Sequence, residues 1–278
     1  MHRLLEMLRD AAVELLDYSL VNVYKSLVYA FAYSSLMRRG LSVEALRPLE
    51  RRMPSPICIV ARSEFAPIIH EILNEVDELL SKTKPVVVTE AHLGETVKAI
   101  RSRVGRVDAI LTYDCMSVIE QVALSAYLVK QGARAVFLDV VFINPLGRTS
   151  FVTKQLDAVT HEKTLRGVTE YIAESLRAYI SRKSTHVDKV VHEVGQIGLE
   201  EFVDRVSIES LAQEVSREAL RHPSGKVLLV SDHGYDIVLS RRDNFIYVVH
   251  GYASSKRGPE DVELAPFSKL VFFVVTIR

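Results

Sequence analysis

The chain has 278 residues, with 35 Lys and Arg against 35 Asp and Glu, and 48% hydrophobic content. This length allows one or two domains around a large core, and the composition is that of a folded chain and not a disordered one. Balanced charge excludes the basic excess of a protein that coats nucleic acid, leaving nucleic acid only to local basic patches; two cysteines, Cys58 and Cys115, exclude a disulfide framework and a four-thiolate zinc site.

Asn and Gln are scarce and Trp is absent, a composition that thermophile proteins favour. Glu6, Arg9 and Asp10 break up the N-terminus before a signal-type apolar stretch forms. The most apolar stretch, 18–37, carries Asn22 and Lys25 and falls short of a membrane span. These features predict a cytoplasmic protein with no membrane partner.

Taken in order, 4–16 and 18–37 have apolar residues at helical spacing, and Gly40 is a natural stop. An arginine-rich stretch (Arg38, Arg39, Arg47, Arg51, Arg52) runs into Pro54 and Pro56, which sets a boundary near residue 55. The expected organisation is a helical segment over 1–55, offering a homo-oligomer interface, followed by an α/β domain over 56–278.

In that domain short β-branched runs alternate with helical periods. Strands are expected at 57–61 (ICIVA), 85–89 (PVVVT), 107–113 (VDAILTY) and 133–142 (ARAVFLDVVF), with helices at 65–80, 92–104 and 118–131. Such alternation predicts a mostly parallel sheet with helices on both faces and sites at the carboxyl ends of its strands. Further on, helices are expected at 150–156, 161–176 and 208–221, and strands at 226–230 (KVLLV), 235–239, 245–249 (FIYVV) and 270–277; the stretch 184–191 is ambiguous. The close spacing of the later runs predicts some antiparallel pairing.

The sharpest motif is KVLLVSDHG over 226–234, where an apolar strand ends and presents Asp232 and His233 before Gly234. Adjacent Asp and His at a strand end offer an oxygen and a nitrogen to a divalent metal, with the glycine easing the turn. Asp114 ends a second strand, followed by Cys115 and Ser117 as candidate nucleophiles near a helix start. Asp188 and His192 are spaced for one helix face, as are Asp157 and His161, and His250 follows FIYVV before Gly251. Plainer readings stand beside these: Asp114 or Thr149 as helix caps, Asp232 as a turn residue and His250 as a surface histidine.

In this order the motifs resemble those of the alkaline phosphatase superfamily, and the SDHG form and short tail resemble its PglZ-type branch. The resemblance covers roughly 107–278. It implies a three-layer α/β sandwich and two divalent metal ions, zinc or manganese. Asp114, Asp232 and His233 would hold one ion, and Asp188, His192 and His250 the other. It also places the nucleophile between Asp114 and the second pair, at a helix start. In NPLGRTSF (144–151) that is Thr149, with Ser150 beside it. Asp157 follows Thr149 too closely to begin a second strand end, which favours Asp188 and His192.

The implied activity is hydrolysis of a phosphate monoester or diester. Arg241, Arg242, Lys256 and Arg257 are candidates to grip phosphate oxygens. The alternative is a non-catalytic metal- or phosphate-binding component of a larger defence or signalling assembly. A doubly wound small-ligand domain is a third reading, but 57–65 carries no glycine and so no phosphate-cradling loop.

Overall fold

The computed structural model describes residues 1–17, 19–42, 44, 47, 51, 55–82, 91–157, 159–192, 197–222, 225–240, 244–251, 261–265 and 267–277. The strand expected at 85–89 and the four basic residues Arg241, Arg242, Lys256 and Arg257 lie outside them.

Helix α1 (His2–Leu15) buries one stripe, Leu5, Leu8 and Ala12. Helix α2 (Leu20–Arg38) starts at Ser19, whose side chain accepts the Asn22 N–H, and is buried nearly all round from Val23 to Leu36. That all-round burial explains its apolar character: it is a core helix, not a surface one. No helix among the described residues is long and apolar enough to cross a membrane.

The run 57–61 is helical, not a strand. It lies in α3 (Ser55–Val60), which passes through a π-helical turn at Ala61–Phe65 into α4 (Ala66–Lys82). A five-residue apolar run fits either state, and the deciding spacing is longer: Ile57, Ala61 and Phe65, four apart, join the core that contains α2. Pro56 stands in the first turn of α3, where its missing N–H costs nothing.

The main sheet takes β1 (Ala109–Tyr113), β2 (Arg134–Ile143), β3 (Tyr179–Ser184), β5 (Val227–Ser231) and β9 (Leu270–Ile277), in the order β2-β9-β5-β1-β3. A smaller antiparallel sheet takes β4 (Ile197–Gly198), β6 (Asp236–Ser240), β7 (Phe245–Val249) and β8 (Asp261–Ala265), in the order β4-β7-β6-β8. The main sheet is mixed: β1 pairs in parallel with β3 and β5, while β9 is antiparallel to both β5 and β2. The closing strand β9 therefore sits between β5 and β2, a placement that its own apolar run does not specify.

Alternate residues of the sheet enter two different cores. Ala109, Leu111, Tyr113, Val227 and Leu229 pack in one with α1 and α2, and Ile110, Leu228, Val230, Val271 and Phe273 pack in the other. The second core includes Leu93, Val97 and Ile100 of α5 (Ala91–Val104). Burial on both faces is why β1 and β5 read as continuous apolar runs and do not alternate.

This architecture levels three strand ends. Tyr113 is in register with Ser184 on one side and Ser231 on the other. Asp114, Asp188, Asp232 and His233 of the candidate site follow these three positions.

Candidate metal centre

Asp114 leaves β1 directly, and its N–H donates to Ser184 O of β3 at 2.8 Å, so the ladder extends past the strand. Asp232 and His233 leave β5 at the same level. Helix α6 (Val118–Lys130) opens after the Asp114 loop, and Ser117 caps it with a complete capping box to Glu120. Asp114 is therefore not the cap.

Asp114, Asp232 and His233 present ligand atoms that all lie within 4.8 Å of one another. His233 Nε2 is 3.6 Å from Asp114 Oδ1 and 3.6 Å from Asp232 Oδ2. The other ring nitrogen, Nδ1, is 2.9 Å from Gly234 O. A carbonyl only accepts, so in the neutral ring Nδ1 carries the proton and Nε2 faces the carboxylates with its lone pair; this tautomer is inferred from the hydrogen bond. That is the arrangement a metal-ligating histidine needs. Asp232 is buried, and neither carboxylate oxygen has a hydrogen-bond partner. A buried carboxylate without donors is costly unless a cation meets it.

Helix α8 (His186–His192) begins just after β3 and carries Asp188 in its first turn and His192 in its last. His192 Nε2 is 3.2 Å from Asp188 Oδ1. His250, following β7, brings its Nε2 into contact with His192 Nε2, and these three residues form a second group whose ligand atoms lie within 4.8 Å of one another. The two groups adjoin: the His250 ring stacks on His233 with centroids 5.2 Å apart. Two imidazole nitrogens in contact, beside carboxylates, form a donor set suited to zinc or manganese.

Electrostatics favour a cation here. Burial, then the nearby Asp232 and Asp188 carboxylates, push the Asp114 carboxyl up to about 7, against opposing pulls from His233 and Lys183. Burial, then the neighbouring His233 and His192, push the His250 imidazole down to about 4, which leaves it neutral and ligand-competent at pH 7.

Helix α7 (Thr149–Thr153) places Thr149 at its first position, with Arg148 as the N-cap residue. Thr149 therefore does not cap; its Oγ1 lies 3.3 Å from His233 Nε2. The other nucleophile candidates are less well placed. Cys115 is buried, and burial, then the Asp188 and Asp114 carboxylates, push its thiol up, away from the reactive thiolate. Ser117 Oγ donates to Glu120 and accepts from Ile119 N–H. Ser150 is exposed. Asp157 and His161 stand apart: Asp157 Oδ1 accepts the Val159 N–H at 2.9 Å, and His161 Nε2 is 3.2 Å from Glu174.

Several supporting residues had no signal as isolated letters. Asn144 Nδ2 donates to both Asp232 O and Arg148 O at 2.9 Å, tying the Asp232 loop to the Thr149 loop. Lys183 of β3 holds its Nζ 3.9 Å from Asp114 Oδ2. Gly234 is required for a different reason than a turn: an added Cβ would lie 2.5 Å from Phe267 O and 3.2 Å from Ser117 Cα. Gly251 has φ +64, and an added Cβ would meet Arg148 Nε at 2.9 Å.

Comparison with known proteins adds no relative: no family model, no curated protein and no solved structure matches the chain.

Proposed function

We propose that this chain is a divalent-metal-dependent phosphoric ester hydrolase. Asp114, Asp232 and His233 hold one ion and Asp188, His192 and His250 a second, zinc or manganese in each case. The observation that carries the reading is the buried Asp232 carboxylate, which has no hydrogen-bond donor and faces His233 Nε2 and Asp114 across a gap of ligand size. The three-layer, alkaline phosphatase-like arrangement of the PglZ-type branch belongs to the same reading. It is supported by the order of the motifs and by Asp114, Asp188, Asp232 and His233 following three level strand ends.

Divalent ions held by these residues would supply Lewis acidity to a phosphoryl group. The chain's own residues do the rest. Thr149, at a helix start beside His233, presents the oxygen that attacks phosphorus. As the new O–P bond forms, the P–O bond to the ester oxygen breaks, and the proton released by the hydroxyl is balanced by one taken up by that oxygen, which leaves as the alcohol. Water then hydrolyses the phosphothreonine, restoring the hydroxyl. Lys183 adds a fixed positive charge at the rim, where phosphate oxygens arrive.

The test is turnover of p-nitrophenyl phosphate mono- and diesters with added zinc, manganese or magnesium. Hydrolysis that depends on metal and falls in Asp232→Ala is the expected result. Metal binding with no turnover of any ester would instead support the non-catalytic component of a larger assembly.

A further inference from the structure

Glu120 is a carboxylate buried in the core of the protein, 0% exposed. Its helix needs it only as half of a capping box, through Oε2, which accepts Ser117 N–H at 2.9 Å and Ser117 Oγ–H at 2.7 Å. The other oxygen is used differently. Oε1 accepts two phenols, Tyr24 and Tyr235, each at 2.5 Å. Four donors thus converge on one buried carboxylate, which is how such a group avoids the cost of burial.

The donors come from three separate parts of the chain. Ser117 ends the loop that begins with Asp114. Tyr235 lies two residues beyond His233, and Tyr24 belongs to α2. The two loops also touch directly: Cys115 Sγ is 3.4 Å from Gly234 O, and a Cβ added at Gly234 would lie 3.2 Å from Ser117 Cα. Glu120 therefore grips the trailing ends of the two loops whose leading residues are Asp114, Asp232 and His233. Tyr24 brings the N-terminal helices into the same grip.

We infer that Glu120, with Tyr24 and Tyr235, is a positioning device that sets the separation of Asp114 from Asp232 and His233, and through them the affinity of that group for a divalent cation. This rests on the metal reading proposed above. Glu120 touches no ligand atom and acts only through the two loops. Groups that orient ligands indirectly typically change metal affinity by about 10–100-fold when altered.

The experiment uses the full chain in a His192→Ala background, so that the buried group is read alone. Co(II) absorption and competition with a chromogenic chelator measure its geometry and affinity in Glu120→Gln, Tyr235→Phe and Tyr24→Phe. Each should weaken binding, by about 10-fold or more for Glu120→Gln and Tyr235→Phe, and should shift the Co(II) spectrum. Leu8→Ala, in the core face of α1, supplies a control with lowered thermal stability and an unchanged spectrum.

If the variants melt earlier but bind Co(II) with wild-type affinity and spectrum, the network is merely structural and the inference falls. If Glu120→Gln does not fold, the two Tyr→Phe variants, which keep the rings and remove one donor each, decide alone. Absence of Co(II) binding by the unaltered chain would overturn the metal reading itself, a result distinct from intact binding in every variant.

Discussion

Asp232 and His233 have side chains 0% and 1% exposed, whereas His192, in the second candidate group, is 55% exposed. The residue types are the same, but their supports are not. The first group stands on two paired parallel strands in register, with a hydrogen-bonded base beneath. The second joins one short helix to a residue after β7 in the other sheet. Desolvated, pre-positioned ligands strengthen a charge interaction, and solvated ones weaken it. Under the proposed metal reading, the first group would hold its ion firmly and the second would exchange it, although their sequence motifs look equivalent.

The largest expected effect is on turnover. Asp232→Ala should reduce ester hydrolysis by about 100-fold or more, by removing a buried ligand and freeing its neighbours. Thr149→Ala should match it in kcat while changing thermal stability little, because Thr149 is not the cap of its helix. Equal loss in kcat and stability would break the nucleophile assignment.

Next comes pH dependence in the metal-free protein. The Asp114 carboxyl titrates at about 7 in the folded chain and near 3.9 when unfolded. The folded state then binds more protons between those values, so this group lowers stability as pH rises from about 4 to about 7. His250 has the opposite sign: its folded value of about 4 lies below an unfolded value near 6.5, so its contribution is lost as pH falls through that window. Asp114→Asn removes the first limb alone. Metal-free Asp114→Asn should be more stable than the parent by about 2–4 kcal/mol above pH 7 and lose that advantage near pH 4, as read from denaturant midpoints.

A smaller stability effect concerns Asp232. Without metal its carboxylate is buried without donors, so Asp232→Asn should stabilise the metal-free chain by about 1–3 kcal/mol, and with metal present the order should reverse. The smallest effect falls on the more exposed group. His192→Ala should weaken one of two metal equivalents by about tenfold and leave the other unmoved, seen by calorimetry.

Asp114, Asp232 and His233 are legible in the sequence because they follow β1 and β5, strands buried on both faces. The runs before Asp114 and Asp232 are continuous and apolar, so the strand ends, and the residues just past them, could be placed. β3 is not legible because YISRKS is mostly polar: among the described residues it lies at the sheet edge and pairs with β1 alone. The run at 57–61 misled because its helical spacing emerges only when Phe65 is included. Nothing in 270–277 reveals that β9 enters the sheet antiparallel between β5 and β2, since pairing partners are not written in a strand's own periodicity. Glu120 was invisible as part of a site: in sequence it is the fourth letter of an ordinary capping box, and its phenol donors lie 96 and 115 residues away.

The most direct test is metal stoichiometry after exhaustive dialysis, followed by titration of zinc or manganese back into the protein. Two equivalents of unequal affinity are expected, the tighter one abolished by Asp232→Asn and the weaker one weakened about a further tenfold by His192→Ala. A chain that binds no divalent metal, or binds it with Asp232→Asn and the parent indistinguishable, would contradict the assignment of these residues as ligands.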